Sequence, residues 1–110
     1  MLKKENRISK RRDFEEVKEK GKMYYSPIFG VLALKTSDRI KEFGIVISKK
    51  ISKKAVERNK VKRLLAEAIR RNLGKINEGY RMVFLVKTSI LGKRVEEVEE
   101  EFFKLIKLLK

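Results

Sequence analysis

The chain predicts a single α/β domain of the α+β sandwich kind, with a small mixed sheet packed by helices in the order α-β-β-α-β-α. Three observations lead there. Two stretches carry apolar residues at helical spacing, three short apolar runs have the length of strands, and the second and third runs flank a helix. With 110 residues and 42% hydrophobic residues, the length predicts one domain spanning 1–110 with a modest core.

The first helix is expected to start near Arg11 or Asp13 and to stop at Gly21. DFEEVKEKG places acids early, lysines late and glycine just past the end, where each suits the helix dipole and its termination. Its apolar face is thin, with only Phe14 and Val17. Pro27 then opens an extended run, Ile28 to Lys35, apolar on both faces. A polar turn from Thr36 to Lys41 leads into Phe43 to Ser48, and the two runs read as neighbouring antiparallel strands. Tyr24 and Tyr25 are adjacent, so in an extended segment only one can face the core. Gly74 is expected to close the next helix, Tyr80 to Lys87 is a third strand, and Arg94 to Leu109 is a second amphipathic helix. Val95, Val98, Phe102, Leu105, Ile106 and Leu109 form its seam. If Phe43 to Ser48 and Tyr80 to Lys87 share a sheet, the helix between them makes them parallel, and such crossovers are ordinarily right-handed.

The middle helix and its lead-in, SKKISKKAVERNKVKRLLAEAIRR from Ser48 to Arg71, carry most of the functional information. Ten Lys or Arg stand there against two Glu. Val61, Leu64, Leu65, Ala68, Ile69 and Leu73 gather on one side of a helical wheel. The other side presents Asn59, Lys60, Arg63, Arg70 and Arg71 around Glu67, with Arg58 and Lys62 at the apolar border. Ser52 is the expected N-cap, although Lys53 and Lys54 then sit where the helix dipole disfavours cations. Arginine forks, mobile lysines and an asparagine amide suit phosphate, sugar and base better than a plain charged lipid surface. The formal net charge of +15 far exceeds what solubility needs, and a polyanion would relieve the self-repulsion. By contrast, Lys93 to Lys110 balances five positive against five negative residues.

Other chemistries are poorly served. Neither Cys nor His is present, which removes disulfides, thiolate metal sites and His-based nucleophilic or acid/base catalysis. The dense acidic cluster Glu96, Glu97, Glu99, Glu100 and Glu101 reads as a solvated helix face, with Glu100 placed to pair with Lys104. No apolar run approaches the roughly 20 residues of a membrane span and no hydrophobic signal core opens the chain, so a cytoplasmic protein with no membrane partner is expected. Abundant Lys and Glu with no Gln is a bias common in thermophiles. A second basic spot, SKRRDF, sets Arg11 and Arg12 beside Phe14, which is either a platform for an unpaired base or the anchor of a short helix. Phe29, Phe43, Phe84, Phe102 and Phe103 lie in apolar patterns and read as core.

FGIVISKKISKKAVERNKVKRLLAEAIRRN resembles the signature of the bacterial ribonuclease P protein subunit, in which a strand ending in Ser-Lys-Lys leads into a helix carrying Arg-Asn-x-x-Lys-Arg. RRDFEEVKEKGK at 11–22 is similar to that family's N-terminal helix and following Gly-Lys, so the resemblance covers nearly the whole chain. It implies a ribosomal protein S5 domain 2-like fold with a left-handed β-α-β crossover. It also implies an accessory to a ribonucleoprotein that removes the 5′ leader of precursor tRNA, with the catalytic RNA subunit and its Mg2+ ions breaking the bond. No catalytic residue, metal ligand or small-molecule substrate is then expected of the protein itself. By the resemblance Lys49, Lys50, Lys53, Lys54, Arg58, Asn59, Lys62, Arg63 and Arg70 face the catalytic RNA. A cleft beside the N-terminal helix holds the leader, which assigns Arg11, Arg12 and Phe14. Where the family often has an aromatic one turn after Phe14 this chain has Lys18, suited to a leader phosphate. Where an Arg commonly follows the Lys-Arg pair by three positions it has Ala66, which trims the RNA-facing row. Composition alone also allows a structural RNA-binding protein of the ribosome or an RNA chaperone.

Overall fold

The structure, a computed structural model, describes residues 2–109. Helix α1 spans Arg11–Lys20 and ends on Gly21, whose N–H donates to the Val17 carbonyl. Strands β1 (Lys22–Tyr25), β2 (Phe29–Lys35) and β3 (Lys41–Val46) follow, then helix α2 (Ala55–Arg71), strand β4 (Tyr80–Val86) and helix α3 (Val95–Leu108). The order is thus α-β-β-β-α-β-α. Strand β1 is the addition, a four-residue segment too short to show alternation in the sequence.

The sheet order is β1-β2-β4-β3, with β1/β2 and β2/β4 antiparallel and β3/β4 parallel. The parallel pairing across α2 is as expected. The antiparallel neighbours expected of β2 and β3 are not: β4 lies between them, because its apolar run can be buried on both faces and so takes a central place. The Ser52 N-cap is also corrected. Lys54 holds that position without a side-chain cap, while the hydroxyl of Ser52, two residues earlier, accepts the Lys54 N–H at 3.1 Å. Gly74 does not close α2, since the helix ends at Arg71 and Asn72 caps it.

Helices α2 and α3 pack together on one face of the sheet. Their stripes, Val61, Leu65, Ala68 and Ile69 with Val98, Phe102 and Leu105, meet Phe29, Val31, Phe43, Met82 and Phe84 in the main core. Phe84 is its hub, edge-on to Phe29 at 5.3 Å and tilted against Phe102 at 5.8 Å and Phe43 at 6.5 Å. Phe103, expected in the core, is only half-buried and lies under the Lys75 ammonium, 4.2 Å from the ring centre. Helix α1 covers the opposite face across β2 and β4, where Val17 and Val83 are fully buried. Arg81 of β4 ties that helix to the sheet, bonding Glu42 of β3 at 2.7 Å and Asp13 of α1 at 3.7 Å. The Glu42 bond, with Asp13 behind it, raises the Arg81 pKa against the cost of burial, so this bracket stays charged.

Candidate nucleic-acid interface

The lead-in to α2 organises its cations. The Ser52 hydroxyl donates to Glu57 at 2.6 Å, and the Ser52 carbonyl accepts from Arg58 Nη1 at 2.8 Å. Arg58 is therefore half-buried and fixed in direction, a pre-ordered fork rather than a mobile charge. Around it Lys49, Lys50, Lys53, Lys54, Asn59, Lys62 and Arg63 are exposed. None of these cations forms an ion pair among the described residues. Their field reaches solvent unneutralised, as a phosphate-binding surface requires.

The other end of α2 is built differently. Arg70 grips Glu67 through two bonds of 2.8 and 2.7 Å, and Arg71 reaches the same carboxylate at 3.1 Å. The Arg70 bond leads in holding the Glu67 carboxyl down to about 2, so the cluster is ionised at any ordinary pH. Arg71 also meets Glu99 and Glu96 of α3 at 3.3 and 3.6 Å. Buried Asn72 completes the seam, donating to the Ala68 carbonyl and to Glu99. Arg70, read from the sequence as part of the RNA-facing row, is exposed but paired.

Between α1 and the edge strand β3 lies a groove of about 210 Å³ lined by Leu2, Arg7, Ile8, Phe14, Phe43, Gly44, Ile45, Lys62 and Ala66. The chain before α1 forms its outer wall, because Ile8 N–H donates to the Phe43 carbonyl at 3.0 Å and Asn6 bonds the Lys41 carbonyl at 2.9 Å. Gly44 sets the depth: a Cβ there would stand 3.1 Å from Phe14 Cε2, so any side chain at this position would press the ring a few tenths of an ångström off the strand. Lys18 sits 5.8 Å from the Phe14 ring centre, one turn along, while Arg11 bonds Glu15 at 3.1 Å and Arg12 is exposed. Arg11, Phe14 and Lys18 line one shallow recess beside Ile8, whereas Arg12 lines neither that recess nor the groove.

Two placements were not legible beforehand. Lys62, assigned to the helix's RNA-facing row, also lines the Phe14 groove, and with Arg58 and Asn59 it borders a second recess against Ile45 and Ile47. The cation row and the aromatic groove are one continuous surface. Ala66, read as a gap in the RNA-facing row, is buried at the groove wall instead. Residues 58, 62 and 66 follow a four-residue step, which was the available signal. Gly44 in mid-strand was another.

Four of the five glutamates on the acidic face of α3 have structural partners. Glu96 and Glu99 serve Arg71, Glu97 caps the Arg94 N–H, and Lys104 pairs with Glu101 at 3.5 Å rather than with Glu100. Among the described residues no group of three or more carboxylates is placed to hold a metal ion. No helix among them is long and apolar enough to cross a membrane.

Fold and surface together define a class, small basic α/β proteins in which a cation-lined crossover helix adjoins an aromatic groove. A family model described as Ribonuclease P matches residues 2–110, and the chain belongs to that family, as its protein component of bacterial type. It is 37% identical over 105 residues to the ribonuclease P protein component of Clostridium botulinum strain 657, covering 94% of each chain. The component from Clostridium acetobutylicum is 35% identical over 99 residues, covering 88% of this chain and 82% of that one. The RNase P protein from Thermotoga maritima superposes with a TM-score of 0.84 at 31% identity, over 94% of this chain and 97% of that structure.

Proposed function

We propose that the chain serves ribonuclease P in the cytoplasm by holding two stretches of RNA at once. The row Lys49, Lys50, Lys53, Lys54, Arg58, Asn59, Lys62 and Arg63 grips the catalytic RNA, with Arg70 at its margin. The groove at Phe14, with Arg11, Arg12 and Lys18, takes the single-stranded 5′ leader of precursor tRNA. The observation that carries this reading is the sharing of Lys62 between row and groove. A surface continuous in this way can bring leader and catalytic RNA into register.

Among the described residues no cluster of carboxylates is placed to hold Mg2+, and in this reading the metal belongs with the RNA. The polypeptide neutralises phosphates and orients the leader. With about six phosphates contacted, affinity should fall by about 10³-fold between 50 and 200 mM salt. The test is reconstitution with a bacterial ribonuclease P RNA at low Mg2+, measuring removal of the leader. Cleavage is expected when protein and RNA are combined, and none from the protein alone. Cleavage by RNA-free protein, or no gain on adding it to the RNA, would overturn the proposal.

A further inference from the structure

Tyr25 is the most exposed large apolar side chain among the described residues, at 75%, and nothing in the leader reading uses it. Its place in the sheet is informative. Gly44 points toward α1, since its missing Cβ would meet Phe14. Side chains alternate along a strand, so Val46 lies on that same face. The pairing register carries the row onward: Val46 is opposite Leu85, Leu85 opposite Gly30, and Gly30 opposite Tyr25. A strip of sheet therefore runs from β3 to β1 on the α1 side and ends at the tyrosine.

The helix leaves this strip open. On the other flank of α1, Asp13 reaches Arg81, whose row holds Leu34 and Glu42. Phe14 follows Asp13 by about 100° of helical turn and so leans toward the opposite flank, and Lys18 sits one turn further along the same side. The strip that Phe14 and Lys18 overlook is apolar, half-covered at Val46 and Leu85 and buried at Gly30, where the Met23 sulfur lies 3.5 Å from the place a Cβ would take. Three strand spacings, roughly 14 Å, separate its ends. At the far end the Lys87 ammonium bonds the Ser26 carbonyl at 2.7 Å and stands 5.6 Å from the Tyr25 ring centre, so ring and cation form one corner. An aromatic face, an apolar floor and flanking cations are what unpaired nucleotides take, because any base can stack and each brings a phosphate.

We propose that Tyr25 is a stacking platform for a leader nucleotide lying beyond the Phe14 groove, reached across Val46, Leu85 and Gly30. This rests on the leader reading above. It adds a second aromatic subsite, farther from the cleavage point, that only longer leaders can occupy.

The experiment uses holoenzyme reconstituted with a bacterial ribonuclease P RNA. Dissociation constants are measured for precursor tRNAs whose leaders are graded from one nucleotide to about a dozen. Tyr25→Ala is expected to bind short-leader substrates like the parent and to lose about five- to tenfold once the leader is long enough to reach β1. Tyr25→Phe keeps the ring and should retain the parent's affinity throughout. Phe14→Ala is the reference, with its loss appearing at shorter leaders. Since Tyr25 is exposed, both variants should melt with the parent. A flat response of Tyr25→Ala to leader length, with Phe14→Ala behaving as stated, overturns the platform and leaves the leader groove standing. If Phe14→Ala shows no leader dependence either, the groove reading itself fails.

Discussion

The two ends of α2 carry the same residue types and do opposite things with them. From Lys53 to Arg63 the cations lack acidic partners among the described residues, and the forks of Arg58 and Arg63 are aimed by neutral carbonyls, of Ser52 and Asn59. From Glu67 to Asn72 the arginines are held by Glu67, Glu96 and Glu99, which stitch α2 to α3. Positive charge alone therefore does not mark a binding residue. What marks it is charge that the fold positions and leaves unneutralised.

The contrast can be broken in several ways, and the largest effect should come from its first half. Arg58→Ala, Lys62→Ala and Arg63→Ala combined should remove most of the affinity for the catalytic RNA, and the salt slope of binding should fall by about three, one for each lost phosphate contact. Circular dichroism should show the fold retained. The second half should answer in stability instead. Asn72→Ala removes a buried amide from both the Ala68 carbonyl and Glu99, at a cost of about 1–3 kcal/mol in chemical denaturation, with RNA affinity little changed after correction for unfolded protein. Gly44→Ala sharpens the account of the groove: the added methyl displaces the Phe14 ring, and binding of leader-bearing substrate should weaken by about threefold to tenfold while leaderless tRNA is unaffected.

The smallest effect concerns Glu67. Its folded pKa is depressed from the ordinary 4.5 to about 2, so whatever stability it contributes is fully present above 4.5 and is lost as pH falls toward 2. Acid titration of Glu67→Gln should lack that component. At neutral pH the same variant releases Arg70, while Glu96 and Glu99 still hold Arg71, and it should bind catalytic RNA slightly more tightly, with a slightly steeper salt slope.

Much of this was readable from the chain because amphipathic periods are local. α2 and α3 declared their buried stripes, and the Arg-Asn-x-x-Lys-Arg signature placed Arg58, Asn59, Lys62 and Arg63 on one helix before any coordinate was known. Strand order was not readable, because β4 takes the centre through contacts made far along the chain. Four-residue β1 was too short to announce itself. The pairing of Arg70 and Arg71 was only half-visible: Glu67 lies within one turn, while Glu96 and Glu99 arrive from α3. The groove escaped for a similar reason, since Phe14, Gly44 and Lys62 come from three elements.

The most direct test compares binding of the catalytic RNA across a salt series by two variants of equal charge change, Arg58→Ala with Arg63→Ala against Arg70→Ala with Arg71→Ala. The first pair should lose affinity and about two units of salt slope, and the second should bind nearly as the parent does. Equal losses in both pairs would show that bulk charge, not the open end of α2, holds the RNA.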